Sequence, residues 1–140
     1  MAFEHTLTVR FHEADRAGIA FFGRVFEYCH TAFEEMLMAA GDNLASVFDE
    51  GGWGMPLVHV EADYARPMGL SQRLVVSLEV ERVGERSVTF VFRVTGQEDG
   101  ELRATVKMIH AFVSGDLENM KSRPVPERLV SGLRKLGLVD

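Results

Sequence analysis

The amino-acid sequence predicts an α+β fold in which one long helix covers an antiparallel sheet. Three observations carry this expectation. An amphipathic stretch from about Phe22 to Ala40 spans roughly five helical turns. Long alternating strands then follow in one block. Short turns join most of them, and Gln97-Glu98-Asp99-Gly100 holds the Asp-Gly hairpin signal. Strands gathered in one run, with the long helix before them, segregate into layers rather than alternating as βαβ units.

Each element has a local reason. Thr6 to His12 alternates well enough for a first strand. In the long helix Phe22, Val25, Phe26, Cys29, Ala32, Phe33, Met36, Leu37 and Ala40 recur at three- and four-residue spacing. Arg24, Glu27, Thr31, Glu34 and Glu35 take much of the other side, and Gly41 supplies the left-handed stop. Asn43 caps a short helix from Leu44 to Phe48, and the glycine-rich loop Asp49 to Gly54 follows. The strands expected next are Met55 to Ala65, Arg73 to Val83, Arg86 to Thr95 and Leu102 to Val113. Arg66-Pro67 breaks the first of these. In the last, Ala104, Val106, Met108, His110 and Phe112 share one face. A short helix after Pro126 closes the chain near Leu136. One long helix covers only one face of such a sheet, so the arrangement expects a partner subunit.

The chain is 140 residues long, with 46% hydrophobic and 26% charged residues, which suits one globular domain over 1–140. The net charge of −6 argues against general nucleic-acid binding. No apolar run is long enough to span a membrane, and the N-terminus has no leader character. A single cysteine forms no internal disulfide and fits a reducing, cytoplasmic setting.

The segment Glu13 to Gly23 carries the chemistry. Asp15 lies one glycine-containing segment ahead of a helix start, and Ile19, Ala20 and Phe21 cannot cap that start. Uncapped backbone N–H groups at a helix N-terminus can hold a developing oxyanion. A carboxylate brought to the same place can attack a carbonyl or activate water. The plain alternative is an aspartate that only closes a turn.

The segment Asp15-Arg16-Ala17-Gly18-Ile19-Ala20-Phe21-Phe22 resembles the hotdog-fold acyl-CoA thioesterases of the 4-hydroxybenzoyl-CoA type, whose motif is Asp-x-x-Gly-[Ile/Val]-Val-Tyr-aromatic. Tyr28 to Glu35 and Pro56 to Pro67 look closest to the 1,4-dihydroxy-2-naphthoyl-CoA branch, and Gly84-Glu85-Arg86-Ser87 resembles its Gly-x-Ser-Ser turn. The likeness runs from about Leu7 to Glu127. It implies a curved sheet wrapped around the helix, sheets continued between subunits, a homodimer and a homotetramer, and an active site between subunits. It also implies Asp15 as nucleophile or general base, and the N–H of Phe22, helped by Gly23, as oxyanion donor. Gly18 would allow a tight approach of the chain. Phe21 stands where the family has tyrosine. Phe22 stands where the Tol-Pal-associated branch has histidine, which leaves the aromatic acyl-CoA branch ahead.

Other candidates have two readings each. His59 faces an acyl pocket across a dimer interface, or is a strand-surface histidine. Arg82 and Arg86, with Ser87, meet the CoA phosphates, or form an ordinary polar turn. Trp53 is a lid over the acyl group or a buried anchor. His30 supports the site or is simply solvated. Cys29 lies on the apolar face and reads as core. No Gly-x-Ser-x-Gly elbow and no histidine spacing for a metal is present.

The expected activity is hydrolysis of an aromatic acyl-CoA, with quinone biosynthesis implied by the resemblance. No metal or redox cofactor is expected, since CoA is part of the substrate. Two alternatives stand: a thioesterase for aliphatic acyl-CoA or acyl-carrier-protein substrates, and a non-enzymatic domain that binds acyl-CoA. A dehydratase is less attractive, because no histidine stands at Asp15 or Gly18.

Overall fold

A computed structural model describes residues 1–49 and 53–140. The loop residues Glu50, Gly51 and Gly52 lie outside the described residues. Strand β1 (Phe3–Thr8) leads through a 3-10 turn (Phe11–Glu13) to helix α1 (Arg24–Ala39) and helix α2 (Leu44–Asp49). Strands β2 (Trp53–Gly54), β3 (Leu57–Tyr64), β4 (Arg73–Val83), β5 (Ser87–Gly96), β6 (Leu102–Ala111), β7 (Val113–Ser114) and β8 (Lys121–Ser122) follow, then helix α3 (Glu127–Lys135).

The main sheet is antiparallel, in the order β1-β4-β5-β6-β3, and β2-β7-β8 form a small second sheet. Helix α1 packs on one face. Val25, Cys29, Ala32, Phe33, Met36 and Leu37 bury against Val76 and Leu78, against Phe90 and Phe92, and against Val106 and Met108. Ala104, Val106, Met108, His110 and Phe112 are all buried, as their shared face requires. Gly41 adopts φ +85°, and the Asp42 N–H donates to the Leu37 carbonyl at 2.9 Å, closing α1. The Asn43 side chain accepts the Ser46 N–H at 2.9 Å and caps α2. Two contacts pin α3 to the end of α1: Arg128 on Asp42 at 2.7 Å and Lys135 on the Ala40 carbonyl at 3.0 Å.

Three expectations change. The first strand runs Phe3–Thr8 rather than Thr6 to His12. Its partner β4 begins at Arg73, so the ladder ends at Thr8↔Arg73 and the chain turns away. Helix α1 starts at Arg24, not Phe22, because the Arg24 N–H closes a turn onto the Phe21 carbonyl at 2.8 Å. The final strand is interrupted after Ala111, and Val113–Ser114 join the second sheet.

The outer face of the sheet carries the ion pairs Glu79–Arg93 at 3.0 Å and Glu81–Lys107 at 3.2 Å, which suit contact with water. Exposed apolar surface gathers instead on the edge strand β3. Leu57, Val58, Val60 and Tyr64 all lie open, Val58 by 60%. Along that edge β3 pairs only with β6 among the described residues.

Candidate active site

The turn that carries Asp15 is a small hairpin between β1 and α1. Ala14 bridges Ala20 and Ile19 bridges Gly69. The Asp15 N–H donates to the Ile19 carbonyl at 2.8 Å, and the Gly18 N–H to the Asp15 carbonyl at 3.0 Å. Gly18 takes φ +78°, a region other residues enter only at a cost. A Cβ there would meet nothing within 4 Å, so the dihedral angle, rather than a tight approach of the chain, demands this glycine.

Neighbouring elements hold the hairpin. The Ala20 N–H donates to the Met68 carbonyl at 2.7 Å, and the Leu70 N–H to the Gly18 carbonyl at 3.0 Å. On the other side the Phe21 N–H donates to the Glu13 carbonyl at 2.9 Å. The Glu13 carboxylate accepts from the Tyr28 hydroxyl at 3.0 Å and from the Arg10 N–H at 2.8 Å. Burial first, then this contact with Glu13, pushes the Tyr28 hydroxyl well above its ordinary range, so it stays a donor.

Asp15 and Phe22 border one cavity of about 400 Å³, walled also by Ile19, Tyr64, Arg66 and Met68. The Asp15 side chain is exposed, and its Oδ1 accepts the Ala17 N–H at 2.8 Å. The second carboxylate oxygen has no partner among the described residues. The peptide N–H groups of Phe22 and Gly23 likewise have none. Their peptide units are nevertheless anchored through the carbonyls. The Phe21 carbonyl accepts the Arg24 N–H at 2.8 Å, and the Phe22 carbonyl accepts the Tyr64 hydroxyl. The result is Phe22, its N–H fixed and unpartnered, in the same largely apolar cavity as a carboxylate, with the unpartnered N–H of Gly23 next along the chain but outside the cavity lining. Such an arrangement can polarise a carbonyl oxygen while an oxygen nucleophile approaches its carbon.

The remaining sequence candidates lie elsewhere. Arg82, Arg86 and Ser87 sit at the β4–β5 hairpin, one full length of β4 from Arg73 and from Met68, which precedes it in the cavity wall. At about 3.3 Å per residue this is roughly 30 Å, so one subunit does not bring them to Asp15. Arg86 instead donates to the Ser122 hydroxyl at 3.3 Å. His59 stands exposed on β3, with Nε2 at 3.2 Å from Glu61. Trp53 is a buried anchor, not a lid: it packs on Phe48 and Phe112, and the Arg123 guanidinium covers its ring at 5.8 Å. Cys29 is core, and burial pushes its thiol up to about 12. Among the described residues no group of three or more His, Cys, Asp or Glu is placed to hold a metal, and no helix is long and apolar enough to cross a membrane.

Two polar residues of the cavity wall, Tyr64 and Arg66, went unnoticed as site residues in the sequence. Tyr64 ends a strand just before a breaker, but its partner Phe22 is 42 positions away. Arg66 lines the cavity and pairs with Glu101 at 3.3 Å.

Comparison with known proteins speaks to the family and the fold. Residues 9–133 match the thioesterase-like superfamily. The chain belongs to that family. A 1,4-dihydroxy-2-naphthoyl-CoA hydrolase of Nostoc punctiforme is 32% identical over 133 residues, covering 95% of this chain and 87% of the relative. One from Acaryochloris marina is 28% identical over 134 residues, covering 96% and 97%. Among solved structures, a 1,4-dihydroxy-2-naphthoyl-CoA thioesterase from Synechocystis superposes with a TM-score of 0.88 at 23% identity, covering 98% of each chain. A 4-hydroxybenzoyl CoA thioesterase mutant complexed with 4-hydroxybenzoyl CoA gives a TM-score of 0.82 at 17% identity, covering 93% of this chain and 97% of that one. At these identities the structural likeness speaks for the fold, which is the hotdog fold expected from the sequence.

Proposed function

We propose that this protein hydrolyses an aromatic acyl-CoA thioester of the 1,4-dihydroxy-2-naphthoyl-CoA or 4-hydroxybenzoyl-CoA type, giving the free acid and CoA. The supporting observation is the shared cavity of Asp15 and Phe22, beside unpartnered N–H groups. The thioester oxygen rests against the N–H of Phe22, with Gly23 adjacent. Asp15 then either attacks the carbonyl carbon or takes a proton from an attacking water. In the first route the carbon–sulfur bond breaks, CoA leaves as thiolate and takes up a proton, and water cleaves the mixed anhydride. In the second, water oxygen joins the carbonyl carbon directly and the same bond breaks. No metal or redox step is needed in either route.

The exposed edge strand β3 supports a homodimer in which two copies continue one sheet. Two-fold pairing about the middle of Leu57–Tyr64 is antiparallel. It lays the Leu57 end of one copy against the Tyr64 end of the other, beside Asp15. The active site then lies between subunits, and two such dimers form the tetramer. A role in quinone biosynthesis is in keeping with the similarity to the 1,4-dihydroxy-2-naphthoyl-CoA hydrolases, and the single cysteine suits a reducing, cytoplasmic setting.

The test is free-thiol release from benzoyl-, hydroxybenzoyl-, dihydroxynaphthoyl- and fatty-acyl-CoA esters, with Asp15→Asn alongside. Turnover of aromatic esters, lost by about a thousandfold or more in the variant, is expected. Preference for fatty acyl chains points to the aliphatic thioesterase. Binding without turnover points to the acyl-CoA-binding module.

A further inference from the structure

Two histidines line a second, larger hollow on the α1 face of the sheet. His30 and His110 border both a cavity of about 570 Å³, with Phe26, Glu27 and Leu57, and one of about 700 Å³, with Trp53, Met55 and Leu117. The two cavities meet at these rings.

His110 is only 8% exposed, and its ring is fixed on three sides. It stacks on Phe33 at 6.3 Å and stands edge-on to Phe90 at 6.1 Å. Its Nδ1 lies 2.9 Å from the Met55 carbonyl, which can only accept, so Nδ1 carries the proton. In the neutral ring Nε2 is then an acceptor, and it has no partner among the described residues. Burial pushes its pKa below the ordinary histidine value, which favours this neutral form. His30 is tied in a similar way, with Nδ1 at 3.0 Å from the Glu34 carboxylate. Its Nε2 also has no partner among the described residues. An aliphatic acyl pocket has no use for a rigid, outward-looking acceptor held among phenylalanines. A hydroxyl on an aromatic ring is the donor that matches it.

We infer that His110, seconded by His30, is the specificity determinant that recognises an aromatic hydroxyl of the acyl group, Nε2 of His110 accepting its proton. This rests on the thioesterase reading and on the antiparallel pairing of β3. Leu57 is the register partner of His110, and both border the cavity. Pairing therefore puts His110 of the partner subunit two strands across from Tyr64, at roughly 10 Å. With the thioester carbonyl at Phe22, beside Tyr64, the acyl ring lies in the gap toward that histidine, its hydroxyl on the side of Nε2.

The experiment measures calorimetric binding of 1,4-dihydroxy-2-naphthoate and of 2-naphthoate to the full-length protein, His110→Phe and His30→Ala. Wild type is expected to bind the dihydroxy acid about tenfold or more tightly. His110→Phe should erase that ratio by weakening the dihydroxy acid alone. His30→Ala, at a half-exposed position, should narrow it and keeps the test valid if His110→Phe fails to fold. Equal affinities in wild type, or ratios unchanged in the folded variants, overturn the inference. Turnover of 2-naphthoyl-CoA and of 1,4-dihydroxy-2-naphthoyl-CoA is followed in parallel. Selective binding with no turnover of either ester leaves the histidine subsite standing and removes the thioesterase reading. Turnover of both without discrimination, in binding or in rate, removes the subsite and keeps the thioesterase.

Discussion

The Tyr64 hydroxyl donates a hydrogen bond to the Phe22 carbonyl, tying the end of β3 to the turn that opens α1. The bond acts on the peptide unit between Phe22 and Gly23, so it fixes where the Gly23 N–H points. A carbonyl that accepts a hydrogen bond also polarises the N–H at the other end of its peptide. Tyr64 therefore helps prepare the proposed oxyanion site without touching the carbonyl it would serve.

Tyr64→Phe should lower kcat about tenfold with KM nearly unchanged, because preorganised N–H groups act mainly on the transition state. Steady-state kinetics on one aromatic ester separates the two parameters. A rise in KM alone would assign Tyr64 to substrate binding instead.

Gly18→Ala should destabilise the protein by about 1–2 kcal/mol, since φ +78° is left-handed and alanine pays the steric cost there. The space beside it is open, so no clash adds to this. Urea unfolding gives the number. A loss below a few tenths would show that the turn relaxes freely.

Val60→Lys places a charge near the proposed two-fold axis on β3, where two copies would face one another. Sedimentation should show the dimer giving way to monomer, and activity should fall with it. A variant that remains dimeric would move the interface away from this edge.

Stability should depend on pH through His110. Burial holds its folded-state pKa below the ordinary 6.5, and nearby His30 adds to this, while the Met55 carbonyl acts the other way. Below 6.5 the unfolded chain takes up a proton that the folded protein resists. The contribution is therefore full above 6.5 and is lost as the pH falls from there through the folded value. Urea midpoints at about pH 8 and about pH 5 should differ in wild type, and the difference should shrink in His110→Gln. An equal decline in the variant would assign the effect to other groups.

The sequence by itself determined the elements whose signals are local. The periodicity of Val25, Cys29, Phe33 and Met36 fixed the buried stripe of α1, and Gly41 marked its end. Alternation placed β4 on Arg73–Val83 as observed. Asp15 and the helix entrance are neighbours in the chain, so their meeting at one cavity needed no knowledge of distant contacts. Only the tertiary structure decided the rest. Strand order and register set which residues meet across long separations, and neither is written in a local pattern. That is why Tyr64 meets Phe22, why His110 turns a lone acceptor into a cavity, and why Arg82 and Arg86 stand a whole strand away from Asp15.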